Sequence, residues 1–119
     1  MTQTSNQHIY LKFLGQIHAI EEKGELPSLD LDAKRLLELI AVRHFEGRTL
    51  TVSDAMSMSS IASPATIHRK LDLLRESGMI YAAYEVGNRR TKFLRPTDQA
   101  YNYFNTLGTF IGQASVLQN

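Results

Sequence analysis

The positively charged side chains of this chain are concentrated in residues 63–95. The whole chain has 119 residues and a formal net charge of +1. Residues 63–95 hold seven Lys or Arg against three Asp or Glu, a net charge of +4, whereas residues 1–62 hold six against eight, a net charge of −2. Such a concentration of charge is typical of a surface that binds phosphate groups. The alternative is a solvated surface with no ligand.

The first half of this basic segment predicts a helix with one apolar and one polar face. Ser63 is suited to cap it, Pro64 fits its first position because no hydrogen bond is needed there, and the helix runs to Ser77 before Gly78. Apolar residues at steps of four and three predict its inward face, which comprises Ile67, Leu71 and Leu74. The outward face is expected to carry Ala65, Thr66, His68, Arg69, Asp72 and Arg75.

The second half predicts a basic two-stranded hairpin. Its strands are expected over residues 80–85 and 91–95, joined by a turn over residues 86–90. Arg89 and Arg90 therefore fall at the predicted tip of the hairpin, and Lys92 and Arg95 fall on the returning strand.

A short helix precedes the basic segment. It is predicted over residues 52–58, and Thr51 with Asp54 resembles a capping box at its start. Residues 49–51 are expected to add a short strand at the edge of the hairpin. Residues 49–97 therefore predict a helix-turn-helix followed by a wing, within a mainly α chain with a small β-hairpin.

This arrangement indicates contacts with double-stranded DNA. The N-terminal half of the second helix of a helix-turn-helix faces base edges in the major groove. There Arg69 can fork to guanine O6 and N7, Thr66 can donate to a base or phosphate, and Ala65 can contact a thymine methyl group. The alternatives are a surface salt bridge between Arg69 and Asp72, and an ordinary surface histidine at position 68.

The predicted wing adds a second contact region. Two arginines at a hairpin tip suit insertion into the minor groove or contacts with phosphates. The alternative is a solvent-exposed turn that binds no ligand. The DNA-binding residues predicted from the sequence are Ser63, Ala65, Thr66, His68, Arg69, Lys70, Arg75, Arg89, Arg90 and Lys92.

No pattern in the sequence indicates an enzyme, a metal site or a cofactor. Cys is absent, the four histidines share no metal-binding spacing, and there is no Gly-rich phosphate loop. No apolar run approaches the roughly 20 residues of a membrane span, and residues 1–6 lack the charged start of a secretion signal. We therefore expect a cytoplasmic protein that catalyses no reaction and contacts no membrane.

Two helices outside residues 49–97 have apolar faces and predict self-association. They are expected over residues 6–23 and 98–116, with a further helix over residues 31–45. A chain of 119 residues, expected to form one domain over residues 1–119, buries only a modest core, so a second copy would add stability. The apolar residues of the two outer helices include Ile9, Phe13, Ile17, Ile20, Tyr101, Phe104, Leu107 and Ile111.

The chain resembles the MarR-type winged-helix transcription regulators, best over residues 31–103. Residues 65–69 stand where the family has a Ser-Thr-Val-Thr-Arg-like stretch, and Arg89-Arg90 stand in its wing. Residues 71–80 follow the family's Val-Asp-x-Leu-x-x-x-Gly-Leu-Val pattern, and Thr97 matches the threonine that opens its next helix. Three positions depart from the family: Asn88 replaces an Asp, Ala82 or Ala83 an Arg, and Ala100 a Gly. ArsR-like and PadR-like winged helices share this topology.

The resemblance implies a homodimeric regulator of transcription that binds a pseudo-palindromic operator. Many members of the family respond to small aromatic ligands, but no residue of this chain identifies an effector. Two other hypotheses remain open from the sequence. One is a winged helix that assembles with an acidic protein partner, and the other is an accessory protein of plasmid or phage DNA replication.

Overall fold

The computed structural model describes residues 5–116, which form five helices and one antiparallel hairpin. The elements in chain order are α1 (Asn6–Glu22), α2 (Leu31–Phe45), α3 (Val52–Met56), α4 (Pro64–Glu76), β1 (Ile80–Glu85), β2 (Asn88–Pro96) and α5 (Asp98–Ser115). The predicted mainly helical chain with a small β-hairpin is therefore confirmed. None of the helices within residues 5–116 combines the length and apolar character needed to cross a bilayer.

The described residues divide into two compact units. Residues 29–101 form one unit, which contains α2, α3, α4, the hairpin and the first residues of α5. Residues 5–28 and 102–116 form the other, which contains α1 and the rest of α5. The basic segment identified in the sequence lies wholly within the unit of residues 29–101.

The core of the 29–101 unit lies between α2, α4 and the hairpin, where α2 packs against α4 and β2. The inward face predicted for α4 is confirmed, since all three of its apolar residues are buried. Burying residues of this size removes apolar surface from water, which is the main force that holds α4 in place. The largest fully buried side chains are Leu36, Leu37, Ile40, Ile67, Leu74, Met79 and Leu94.

Side-chain caps set the starts of α3 and α4, as the sequence predicts. Ser63 Oγ accepts a hydrogen bond from the Thr66 N–H at 3.3 Å, and Pro64 occupies the first turn of α4. Thr51 and Asp54 form a reciprocal capping box with N···O distances of 2.9 and 3.0 Å. These bonds satisfy backbone N–H groups that have no partner inside the helix.

The third helix is shorter than predicted, because it ends at Met56 rather than at Met58. The Ser57 hydroxyl donates to the Asp54 carbonyl at 2.7 Å, and the Met58 N–H turns to the Ala55 carbonyl at 3.1 Å. The last turn thus tightens, and the chain leaves the α-helical hydrogen-bond pattern before residue 58.

The end of α4 is tied to the start of α5. Gly78 ends α4 with a φ of +79°, a conformation that favours glycine. The Thr97 hydroxyl donates to the Gly78 carbonyl at 2.6 Å and accepts from the Ala100 N–H at 3.1 Å. The prediction that Thr97 caps the last helix is confirmed, and the same hydroxyl links that cap to the turn after α4.

The hairpin differs from the prediction in its turn. β2 begins at Asn88, which pairs with Glu85, so the turn consists of Val86 and Gly87 alone. The sequence predicts Arg89 and Arg90 at the tip of the hairpin. This is wrong, because both lie at the beginning of β2. The predicted edge strand over residues 49–51 is present as a bridge, because Thr51 pairs with Phe93 and the Leu94 N–H donates to the Leu50 carbonyl at 2.8 Å.

The unit of residues 5–28 and 102–116 buries very little. No residue of α1 is buried, and on α5 only Tyr103 and Ala114 of this unit are. Gln16 Nε2 donates to Gln113 Oε1 at 3.0 Å, which joins the two helices. A shallow apolar groove of about 330 Å³ is lined by Asn6, Ile9, Tyr10, Phe13 and Ile111.

Candidate functional site

The exposed side of α4 carries half of the ten predicted DNA-binding residues. Ala65, His68, Arg69 and Arg75 are exposed, and Thr66 is half-buried beside the cap. Their direction follows from the burial of the opposite side of the helix, because residues three and four apart share a face. The cap and the core together therefore hold these side chains toward solvent. We call this surface the outer face of α4.

Asp72 is the centre of an ion-pair cluster on the outer face of α4. One carboxylate oxygen accepts from Arg75 Nη2, and the other lies 3.4 Å from His68 Nδ1. The alternative pairing of Asp72 with Arg69 is not formed. Arg75 lies at one oxygen of Asp72 and His68 at the other. Within residues 5–116, Arg69 has no carboxylate within ion-pair distance. Arg69 is thus an exposed guanidinium that no neighbour holds.

Lys70 has a different environment from Arg69, although the two are adjacent in sequence. Its side chain is only 19% exposed, and Nζ lies 2.6 Å from Oδ2 of Asp30. The second oxygen of Asp30 accepts from the Ala33 N–H at 2.9 Å and caps α2. The hydrogen bond from Lys70, and then that from Ala33, hold the pKa of the Asp30 carboxyl below its usual range.

The hairpin presents its two arginines from a bulge. The register passes from Glu85 opposite Asn88 to Tyr84 opposite Lys92, so residues 89–91 of β2 face no residue of β1. The Asn88 side-chain oxygen accepts from the N–H groups of residues 90 and 91, at 3.0 and 3.2 Å. Arg89 and Arg90 are both exposed. The bulge therefore has a fixed backbone and freely exposed guanidinium groups.

The other cations of the hairpin contact their own sheet. Lys92 Nζ lies 5.6 Å from the centre of the Tyr84 ring, its cross-strand neighbour. Arg95 is half-buried and its Nη2 lies 3.8 Å from Oε1 of Glu85. Lys92, one of the predicted DNA-binding residues, is nevertheless exposed to solvent. Arg95 is not one of those residues.

The structure adds two residues that the sequence analysis did not single out for the site. Asp30 reads in the sequence as a possible cap for α2, but nothing in the sequence indicates its bond to a lysine forty positions later. The sequence marks Asn88 only as a departure from a family pattern, whereas in the structure its amide oxygen accepts from two backbone N–H groups of the bulge. Turn-forming asparagines of this kind have a local signal, whereas long-range ion pairs have none.

The described part of the chain contains no cluster of three or more His, Asp or Glu side chains that could hold a metal ion. The outer face of α4 has a shallow depression lined by Arg69, Asp72, Leu73, Arg75 and Glu76. Four of its five lining residues are charged and it is open to solvent, so it offers no enclosed pocket for a small molecule. Comparison of the chain with protein-family models and with curated proteins finds no match.

Proposed function

We propose that this chain is a homodimeric winged-helix regulator that binds a specific sequence in double-stranded DNA. In this proposal α3 and α4 form the helix-turn-helix, and α4 enters the major groove with its outer face toward the bases. The hairpin is the wing, and it contacts the minor groove or the phosphates beside it. Neither role requires an active site, a cofactor or a metal ion.

The free guanidinium of Arg69 is the observation that carries the proposal. It lies in the N-terminal half of the second helix of a helix-turn-helix, where side chains reach base edges. A buried or ion-paired arginine would need to break existing contacts before it could fork to a guanine. Arg69 has no such partner to lose among the described residues, so its two terminal nitrogens are available for O6 and N7.

The bulge of the hairpin supports a second contact with DNA. Its two arginines are exposed and adjacent, and their backbone is held by the Asn88 side chain. Minor grooves attract arginine because of their negative potential. Because the backbone that carries the two arginines is already held, little conformational entropy is lost when they bind a phosphate backbone. The free-energy cost of binding is lower for that reason.

The self-association part of the proposal depends on the unit of residues 5–28 and 102–116. Helix α1 has 17 residues, none of them buried, although it carries isoleucine, leucine and aromatic side chains. On α5, Ile111 is 53% exposed. A second copy would cover such surface, and a two-fold dimer would place the two copies of α4 about 34 Å apart, one turn of DNA.

Selection of bound duplexes from a random pool tests the proposal. We expect enrichment of a pseudo-palindromic sequence with half-sites about one helical turn apart. Fluorescence anisotropy on the selected duplex should then show a strong effect of salt. If each copy contacts roughly three to five phosphates, affinity should fall by about 10³ to 10⁵ between 50 and 200 mM salt.

One variant tests the contribution of the wing to this salt dependence, and a second variant is its control. Arg89→Gln with Arg90→Gln should flatten the salt dependence, because it removes cations that we place at the DNA. Arg35→Gln removes an exposed charge from α2 and should leave the salt dependence as it is. Absence of an enriched sequence, together with an affinity that does not respond to salt, would reject DNA binding and favour assembly with a protein partner.

A further inference from the structure

The cation at position 70 is bound within its own chain. Lys70 Nζ lies 2.6 Å from Asp30 Oδ2, and four fifths of the side chain is shielded from solvent. Its neighbour Arg69 is exposed and unpaired among the described residues. Helical geometry accounts for the difference, since adjacent residues on a helix point about 100° apart. Arg69 is therefore exposed to solvent, whereas Lys70 reaches Asp30 at the start of α2.

The carboxylate of Asp30 serves two helices at once. Oδ1 caps the N-terminus of α2 by accepting from the Ala33 N–H at 2.9 Å, and Oδ2 holds the lysine of α4. Because the cap already fixes the carboxylate, little further ordering is needed for the ion pair to form. The pair therefore adds a polar tie beside the apolar contact between α2 and α4.

We infer that Asp30 is a positioning residue for DNA binding, which holds Lys70 as a strut between α2 and α4 and keeps it from the phosphates. This inference rests on the proposed function and deepens it. It replaces the sequence-based prediction that Lys70 contacts DNA. The strut acts on specific binding, because the angle of α4 decides which base edges Arg69 can reach.

The consequence is that the positive charge of Lys70 should not contribute to DNA affinity. A lysine that contacts phosphate contributes about 0.9 to the slope of log affinity against log salt. A lysine held by a carboxylate of the same chain releases no counterion when DNA binds, so it contributes nothing to that slope. Removal of the Asp30 carboxylate would free the Lys70 ammonium group to contact phosphates of the DNA.

Asp30→Asn and Lys70→Gln test the inference in the full-length protein. Asn caps a helix as well as Asp does, so Asp30→Asn removes the ion pair and keeps the cap. Circular dichroism melting would verify that both variants fold. Affinities are then measured by anisotropy on the selected duplex and on a scrambled one, between 50 and 200 mM salt. Arg89→Gln with Arg90→Gln is the control for loss of charge at the DNA.

Three results are expected. Lys70→Gln keeps the wild-type salt slope on scrambled DNA, whereas Asp30→Asn steepens it by about 1.8 for a dimer, one released lysine per copy. Both variants lower the ratio of specific to non-specific affinity by up to about five-fold for each copy, the upper range for one exposed ion pair. The double variant lowers this ratio no further than either single variant, because both remove the same tie.

Two results would overturn the inference while leaving the proposed function in place. One is a Lys70→Gln slope that is flatter by about 1.8, which would make the lysine a phosphate contact. The other is an Asp30→Asn protein with wild-type slope and wild-type specificity. A wild-type protein that binds neither duplex would overturn the proposed function itself, and this inference with it.

Discussion

At the scale of single residues, the environment in the folded chain separates side chains of the same charge. Arg69, Lys70 and Arg75 lie on one helix within two turns, and the sequence treats them alike. In the structure, Lys70 is held by Asp30, Arg75 by Asp72, and Arg69 by no carboxylate among residues 5–116. Their roles in binding should differ accordingly, and each can be tested by itself.

Arg69→Ala should reduce the specificity of DNA binding at one base position in each half-site. The expected cost is about 1–3 kcal/mol for each lost bidentate contact with guanine. Competition with duplexes changed at single positions would measure this loss. Equal weakening on specific and scrambled DNA would show that Arg69 contacts only phosphate. Arg35→Ala, which removes an exposed arginine from α2, is the matched control.

The Asp30 carboxyl should give the folded chain a defined dependence on acid. Its pKa is lowered in the folded state, chiefly by the hydrogen bond from Lys70. The stability that it contributes is therefore complete above the unfolded-state pKa of about 3.9 and is lost as the pH falls through the lower folded-state value. Asp30→Asn lacks this titration.

Melting temperatures of the wild type and Asp30→Asn, measured from pH 7 to pH 2, test this dependence. The wild type should melt higher at pH 7 and pH 5, and the difference should shrink only below about pH 4. Lys70→Gln should show a weaker acid-dependent loss than the wild type, because the main cause of the pKa shift is gone. A difference between wild type and Asp30→Asn that persists unchanged at the lowest pH would contradict this assignment.

At the scale of elements, local signals predicted the helices well and the hairpin less well. The starts of α3 and α4 depend on capping bonds between residues only three positions apart, and such local signals can be read directly from the sequence. The hairpin turn depends on strand register, which couples residues of both strands. The sequence placed Arg89 and Arg90 in a five-residue turn, whereas the structure has a two-residue turn and a bulge.

The bulge should depend on the side-chain oxygen of Asn88. Asn88→Ala removes the acceptor for two backbone N–H groups and should destabilise the hairpin by about 0.5–1.5 kcal/mol. Asn88→Asp keeps an acceptor at the same place and is the matched control. Hydrogen exchange at the amides of residues 90 and 91 should accelerate in the first variant and stay slow in the second.

The DNA affinity of the same two variants shows whether this geometry matters for binding. Asn88→Ala should weaken binding although both arginines are still present, because they are no longer held together. Similar exchange rates in both variants would mean that the side chain does not organise the bulge. Unchanged affinity despite faster exchange would mean that the arginines bind without it.

At the scale of the whole molecule, the two units differ in how much apolar surface they bury. The 29–101 unit has a core of large aliphatic side chains from α2, α4 and the hairpin. In the other unit, α1 buries no residue, and Tyr10 and Leu11 are 59% and 56% exposed. The sequence predicted both apolar helices from their periodicity, but periodicity does not identify what covers them.

The proposed self-association through this surface should be blocked by a single charge. Tyr10→Glu and Ile111→Glu each place a carboxylate at the apolar groove in the unit of residues 5–28 and 102–116. Both positions are more than half exposed in one chain. Such substitutions cost an isolated chain little, but they bury an unpaired charge in a dimer. Gln7→Glu adds the same charge at another exposed position of α1 and is the control.

Light scattering at micromolar concentration should give twice the chain mass of 13.4 kDa for the wild type and Gln7→Glu, and the single mass for the other two variants. Their affinity for the selected duplex should fall by about 10² to 10⁴, because the two half-sites are no longer bound together. Affinity for a single half-site should stay near that of the wild type, since the 29–101 unit is unchanged. A wild-type monomer that binds the full sequence specifically would contradict the dimer and leave one winged helix as the DNA-binding species.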